Sequence, residues 1–298
     1  MKDFCGLISI VGRPNVGKST LLNRLIEQKV SITSRKSQTT RNNILGIKTK
    51  DNHQMVFIDT PGVHINASKV MNKVLNQSAL GAIEDADLII FMLQRNKINT
   101  LDELILERLK GVETKKICVI NKLDQVASIN SLLPVIEKLR SENDFAEIIP
   151  VSAKTGKNIN ELENMICQNL PENNHLYDSE TKFLAKESFM ISEIIREKII
   201  RFLGEELPHE TYVQLQKLED KESIINIDAE IIVARESQKG IVVGKNGAKL
   251  KKIGEKARID LEKFFNKKVF LKTWVKTKKN WNNDSDFISS LGMGSLYD

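Results

Sequence analysis

Residues 12–19 read GRPNVGKS, an instance of the pattern G-x-x-x-x-G-K-[ST]. An apolar stretch, Leu7–Val11, runs directly into it, and a helical one, TLLNRLI at 20–26, follows directly. In that setting the spacing has a physical meaning. Gly12 and Gly17 allow a loop whose backbone N–H groups point inward at anionic oxygens, and the helix adds the positive end of its dipole. Arg13, Pro14, Asn15 and Val16 form the body of the loop. Lys18 can reach β- and γ-phosphates, and the Ser19 hydroxyl can ligate Mg²⁺. The stretch predicts a phosphate-binding loop.

Outward from it, β-branched segments alternate with helical ones over the first 170 residues. Strands are expected at Cys5–Val11, Ile44–Thr49, Met55–Asp59, Leu88–Leu93, Lys116–Asn121 and Ile148–Val151, and helices at Ser19–Ile26, Lys69–Ile83 and Leu101–Leu109. Strands joined by helical crossovers give an α/β domain, a mostly parallel sheet with helices on both faces.

Three further motifs close predicted strands. DTPG at 59–62 follows VFI; Asp59 can hold the magnesium shell and the Gly62 amide can sense the γ-phosphate, with Thr60, Pro61 and Val63 beside them. NKLD at 121–124 follows KKICVI. The Asp124 carboxylate can accept from both the ring N1–H and the exocyclic amine of guanine, where adenine offers an acceptor at N1 and leaves it unpaired. Asn121 would tie loops together, the stem of Lys122 would lie over the base, and Leu123 completes the motif. SAK at 152–154 follows IIPV, and the Ala153 amide can donate to guanine O6 between Ser152 and Lys154. All four motifs fall at strand carboxyl ends, the rim where open α/β sheets bind ligands. Together they point to a GTP-binding, GTP-hydrolysing domain with GTP/GDP and Mg²⁺.

The remainder has a different grain. PENNHLYDSE, 171–180, is polar and turn-rich, which suggests a linker over 171–182. A smaller α+β unit is expected over 183–280, with a leading helix at Phe183–Phe202, a strand at Ile224–Ala234 and another at Val269–Lys276; residues 281–298 then form a tail. In the strand, Ile225, Ile227 and Ala229 share a face. Between the strands lies GKNG, 244–247, followed by a helix with Leu250, Ile253, Ala257, Leu261 and Phe264 on one stripe. Lys249, Lys251, Lys252 and Lys256 fall on its other side. Residues 239–279 carry 14 Lys/Arg against 3 Asp/Glu, whereas 171–238 carry 8 against 15. So concentrated a basic island implies a polyanion partner, with Gly244, Lys245, Asn246, Gly247, Lys249 and Lys252 as its contacts. Trp274 and Trp281 could stack on bases, although core packing is the usual role of a tryptophan.

Composition agrees with a globular protein: 298 residues, 41% apolar and 28% charged. Cys5, Cys118 and Cys167 are scattered, which argues for a reducing compartment. The longest apolar run, Leu88–Leu93, is far short of the roughly 20 residues of a spanning helix. A cytoplasmic protein is expected, with peripheral contact at a membrane surface left open.

GRPNVGKSTLLN, SITSRKSQTTRNNI, DTPG, NKLD, SAK, SEIIREKIIRFLGEELP and the GKNG region together resemble the bacterial Era family, over nearly the whole chain. That resemblance implies a P-loop GTPase domain followed by a KH-type RNA-binding domain, acting as a monomer with 16S rRNA in maturation of the small ribosomal subunit. It also implies that Thr39 or Thr40 belongs to switch I, with Thr40 preferred as the Mg²⁺-reaching hydroxyl, that Asn15 is a ligand for K⁺, and that the inner face of the cell membrane is a peripheral contact. Val63 stands where Ras-like enzymes carry a water-orienting glutamine, so intrinsic hydrolysis should be slow. The competing readings are an interaction module holding guanine nucleotide as a structural ligand, a P-loop ATPase, and a membrane-surface GTPase.

Overall fold

In the computed structural model, which describes residues 2–31, 44–60, 70–203 and 210–291, the chain divides into two units between Leu184 and Ala185. In the first unit the described strands form one sheet of order β6-β5-β4-β1-β3-β2-β7. They are β1 (Phe4–Val11), β2 (Ile44–Lys50), β3 (His53–Asp59), β4 (Leu88–Gln94), β5 (Lys115–Asn121), β6 (Glu147–Pro150) and β7 (Phe183–Leu184). β1, β3, β4, β5 and β6 run parallel, while β2 is antiparallel to β3 and to β7. The interior strands are continuous apolar runs because both faces are covered: every residue of Leu88–Leu93 is at most 1% exposed.

The helices of this unit are α1 (Lys18–Ile26), α2 (Val70–Glu84), α3 (Thr100–Leu109), α4 (Leu133–Glu142) and α5 (Ile159–Asn169). α3 starts at a reciprocal cap, in which Asn99 accepts from the Asp102 amide and Asp102 from the Asn99 amide, both at 3.1 Å. β3 lies on one side of β1 and β4 on the other, so the loop leaving β1 sits where the strand order reverses.

The segment expected as a linker, 171–182, is instead bound along this unit. Phe4 bridges Glu172, the Cys5 amide donates to Pro171 at 3.1 Å and the Ile47 amide to Lys182 at 2.8 Å. Gln54, wholly buried in β3, accepts from the Leu176 and Tyr177 amides and donates to the Tyr177 carbonyl. The leading helix accordingly starts at Glu187 rather than Phe183, because Phe183 and Leu184 are taken up as β7 on the free edge of β2.

The second unit packs α6 (Glu187–Phe202), α7 (Glu236–Val243) and α8 (Ala248–Phe265) with a sheet of order β10-β9-β8, built from β8 (Thr211–Asp220), β9 (Ile224–Val233) and β10 (Lys268–Thr277). β9 pairs antiparallel with β8 and parallel with β10. Ile225, Ile227 and Ala229, the expected face, are buried together with Ile231 and Val233 and meet Ile253, Ala257 and Leu261 of the expected helical stripe. At the helix end it is Phe265, not Phe264, that packs on this core. The segment from 281 is no loose tail as far as Leu291: Trp281 is wholly buried, donates to the Glu210 carbonyl at 3.1 Å and stacks obliquely on Tyr212, and α9 (Ser285–Ser290) follows. Among the described residues no helix is long and apolar enough to cross a membrane.

Candidate functional site

The loop from Gly12 to Gly17 leaves β1 and delivers Lys18 as the first residue of α1. Lys18 is 7% exposed, and its ammonium turns back across the loop to donate to the Gly12 carbonyl at 2.9 Å and the Arg13 carbonyl at 3.2 Å. Next to it, the Ser19 hydroxyl donates to Asp59 Oδ2 at 2.9 Å, and Ser31 donates to the same oxygen at 2.7 Å. Asp59 closes β3 and is fully buried. A serine hydroxyl and a carboxylate are hard oxygen donors, few enough to suit Mg²⁺ when substrate phosphates and water complete its shell. Thr60 ties this corner to β1 through the Ile10 carbonyl at 2.8 Å.

The base-side residues converge on the same rim. Asn121, 3% exposed at the end of β5, donates to the Val16 carbonyl at 2.8 Å and accepts from the Ala153 amide at 3.0 Å. The loop-tying role expected of Asn121 is thus its observed geometry. Lys122 has φ 65° and extends over the phosphate loop to donate to the Asn15 carbonyl at 2.7 Å and to Gln94 Oε1 at 2.5 Å. Asp124 is exposed, and Ser152 Oγ fixes one of its oxygens at 2.7 Å.

One expected contact comes out differently. The Ala153 amide is engaged by Asn121 here, so reaching guanine O6 requires it to share or change partner. Leu123 and Val16 are core residues, 7% and 0% exposed, which anchor their loops from below. Thr39, Thr40, Pro61, Gly62 and Val63 lie outside the described residues.

Sequence motifs missed several supports. Arg24, on α1, donates to the Ala153 carbonyl at 3.3 Å and the Lys154 carbonyl at 2.8 Å, so the helix behind the phosphates also holds the base loop. Arg13 donates from Nε to Asp102 Oδ2 at 3.0 Å, fastening the phosphate loop to the cap of α3. Burial raises the Asp102 pKa, opposed by the Asn99 amide and Arg13. The N-x-x-D spacing at 99–102 could have disclosed the cap; nothing local discloses its arginine partner.

In the second unit, GKNG joins α7 to α8. Gly244, Asn246 and Gly247 all have positive φ, at 72°, 51° and 76°. At Gly244 a β-carbon would lie 2.7 Å from that of Lys249, so only glycine fits. Lys245 and Asn246 are exposed, Lys249 is half-buried, and Lys252 is exposed with its ammonium 5.4 Å from the centre of the Phe202 ring. Trp281, wholly buried, is excluded as a base-stacking surface, and Trp274 is half-buried.

A phosphate loop, a serine–aspartate corner and an asparagine-tied NKLD/SAK pair on one sheet rim define a P-loop GTPase domain, and the second unit is a KH domain. Models of the 50S ribosome-binding GTPase family and of the KH domain match residues 7–122 and 206–282. GTPase Era of Coxiella burnetii is 46% identical over 97% of this chain and 98% of its own, and that of Pasteurella multocida 45% over 98% and 95%. A crystal structure of Era in complex with MgGDPNP and nucleotides 1506–1542 of 16S ribosomal RNA superposes with a TM-score of 0.95 at 35% identity, covering 99% of this chain and all of the other. An Aquifex aeolicus Era variant bound to GDP·AlF4⁻ gives 0.94, also at 35% identity, with the same coverage. The chain belongs to the GTPase Era family.

Proposed function

We propose that this GTPase couples its nucleotide state to the holding of single-stranded 16S ribosomal RNA by the KH domain, in maturation of the small ribosomal subunit. The observation that carries the nucleotide half is the Asn121 junction, which makes the phosphate and base loops one site. The RNA half is supported by the exposed GKNG loop at the head of a lysine-lined helix, since such a loop clamps about four nucleotides. The Era structure that contains 16S rRNA shares this fold.

In this reading Lys18 and the loop amides hold the β- and γ-phosphates, and Lys122 and Asp124 hold the base. Ser19 and Asp59, with Thr40, would hold Mg²⁺, which neutralises charge on the phosphate oxygens. Asn15 would take K⁺. Val63 supplies no hydrogen bond to the attacking water, so turnover is slow until RNA or a bound cation completes the site. The protein works in the cytoplasm as a monomer, with its lysine face free to meet the anionic inner surface of the membrane.

Phosphate release should therefore be slow in sodium buffer without RNA and should accelerate with potassium or with 16S rRNA 3′-end fragments. Gly247→Asp is expected to abolish RNA crosslinking at the GKNG loop while leaving GTP affinity intact, because a side chain there meets no protein atom within 4 Å, the backbone cost at φ 76° is confined to this loop, and the new carboxylate repels the nucleic-acid backbone. A high basal rate in sodium with no RNA would refute this account.

A pH dependence follows from Lys18. Burial lowers its pKa from 10.5 to about 8, with Asp59 raising it and Arg13 lowering it further. A lysine depressed in the folded state destabilises the nucleotide-free fold while charged. That cost is fully present below about pH 8 and fades as pH rises from there toward 10.5. Bound phosphates favour the charged form, so binding takes up a proton above pH 8. GDP affinity should weaken about tenfold from pH 7 to pH 9, with proton uptake visible by calorimetry in two buffers of different ionisation heat. A flat profile would exclude Lys18 as the phosphate ligand.

A further inference from the structure

The GKNG loop does not account for the chemistry on β10. Val269 and Val275 of this edge strand are buried and Leu271 packs beside them on the core, so alternation sends Lys268, Phe270, Lys272, Trp274 and Lys276 to the opposite face. Contacts agree: Lys272 Nζ lies 5.7 Å from the centre of the Trp274 ring, and Phe270 is 57% exposed. The Trp274 indole donates to Glu230 Oε1 at 2.9 Å, which fixes the plane of the ring, and Lys276 lies 3.6 Å from the other oxygen of that carboxylate. The rest of the acidic charge on this face is also matched. Glu219 pairs with Lys217 at 2.8 Å, and Asp228 stands opposite Lys217 in the ladder. Lys268 and Lys272 form no ion pair among the described residues.

We propose that the outward face of β10 is a second contact for single-stranded RNA, distinct from the GKNG loop, in which Phe270 and Trp274 stack on bases and Lys268, Lys272 and Lys276 meet phosphates. The inference rests on the reading of the second unit as an RNA binder and extends it. Lysines alone on an edge strand would only deter pairing with another chain. Here a cation alternates with a ring, and the rings stand about 14 Å apart along the strand. Stacking platforms for single strands combine those same two elements. An anionic membrane would meet the whole sheet face, including the carboxylates of β8 and β9. A strand of RNA following the edge meets the lysines and rings, with Glu230, already engaged by Trp274 and Lys276, as the carboxylate beside them.

The two tryptophans make the test direct, because Trp281 is wholly buried and only Trp274 can report stacking. Binding of an oligouridylate of 12 nucleotides to the intact protein should quench tryptophan emission, and Trp274→Phe should remove the quench. Phe270→Ala replaces an exposed side chain, and its unchanged melting temperature would show that the fold is kept. It should weaken binding of the 12-mer about tenfold, the effect of one lost base stack. Binding of a tetranucleotide, which the GKNG loop alone can clamp, should not change. Lys272→Gln should lower the slope of log affinity against log salt by about 0.7. Gly247→Asp should eliminate tetranucleotide binding and leave a residual quench by the 12-mer. If Phe270→Ala weakens both lengths equally or neither, or if these variants lose affinity for anionic phospholipid vesicles instead, the second contact is refuted and the GKNG reading stands. If the unmodified protein binds neither oligonucleotide, both readings fall.

Discussion

Asp124→Asn is expected to weaken GDP binding by roughly 10²–10³-fold and to create affinity for xanthosine diphosphate. The carboxylate presents two acceptors to the two N–H groups on the guanine edge, and hydrogen bonds to a charged group contribute about 1.5–3 kcal/mol each. Two of them would approach 10⁴-fold, but Asp124 is exposed, so solvent screening sets the lower figure. Asparagine keeps one acceptor and turns the other position into a donor. That pair fits xanthine, whose N1–H still donates and whose C2 carries a carbonyl. The scaffold should survive the exchange, because Ser152 Oγ can still donate to Oδ1 of the new residue as it does now at 2.7 Å. Calorimetry with GDP, ADP and XDP on both proteins, together with melting of the nucleotide-free forms, checks this. Equal heats for guanine and adenine nucleotides in the unsubstituted protein would remove the assignment of Asp124 altogether.

The parts of this site that were legible in the sequence are those whose chemistry is contiguous along the chain. GRPNVGKS, DTPG, NKLD and SAK each place their residues within one strand-end loop, so the pattern and the physical reason for it occupy the same few positions. Arg24 and Asp102 were not legible, because each acts across more than 80 residues, Arg24 on the 153–154 loop and Asp102 on Arg13. A single arginine on a helix looks like any solvated charge until the fold brings it to two carbonyls. The same limit explains the segment 171–182. Its polar composition describes side chains, while its docking is done by backbone groups and by Gln54, a buried polar residue inside an apolar strand. β8 went unread because it is largely polar and its alternation breaks at the irregularity between Leu215 and Lys217. α7 carries Gly240 and three consecutive β-branched residues, and helix propensity alone disfavours it. It is capped instead by Gln238, which accepts from the Ala234 and Arg235 amides at 2.9 Å.

Gly17→Ala should cost roughly 3–5 kcal/mol of stability, near the top of the range for single substitutions, and should remove measurable nucleotide binding. Two effects coincide there. The backbone has φ 109°, and a β-carbon would stand 2.2 Å from Asn121 Nδ2. The strain alone is worth about 1–3 kcal/mol. Displacing Asn121 also leaves the buried Val16 carbonyl and Ala153 amide without the partners they now hold at 2.8 and 3.0 Å, each at about 1–3 kcal/mol. Gly156→Ala is the matched control. Its φ is 87°, but no atom lies within 4 Å of the new carbon, so only the backbone cost of about 1 kcal/mol remains. The cause can be isolated in a cycle with Asn121→Ala, which removes the obstructing amide. In that background Gly17→Ala should cost no more than the strain, so the double variant should be more stable than the sum of the single losses predicts. Urea unfolding of the four nucleotide-free proteins measures the difference. Simple additivity would mean that the two residues do not meet, and the Asn121 junction would then not be what holds the phosphate and base loops together.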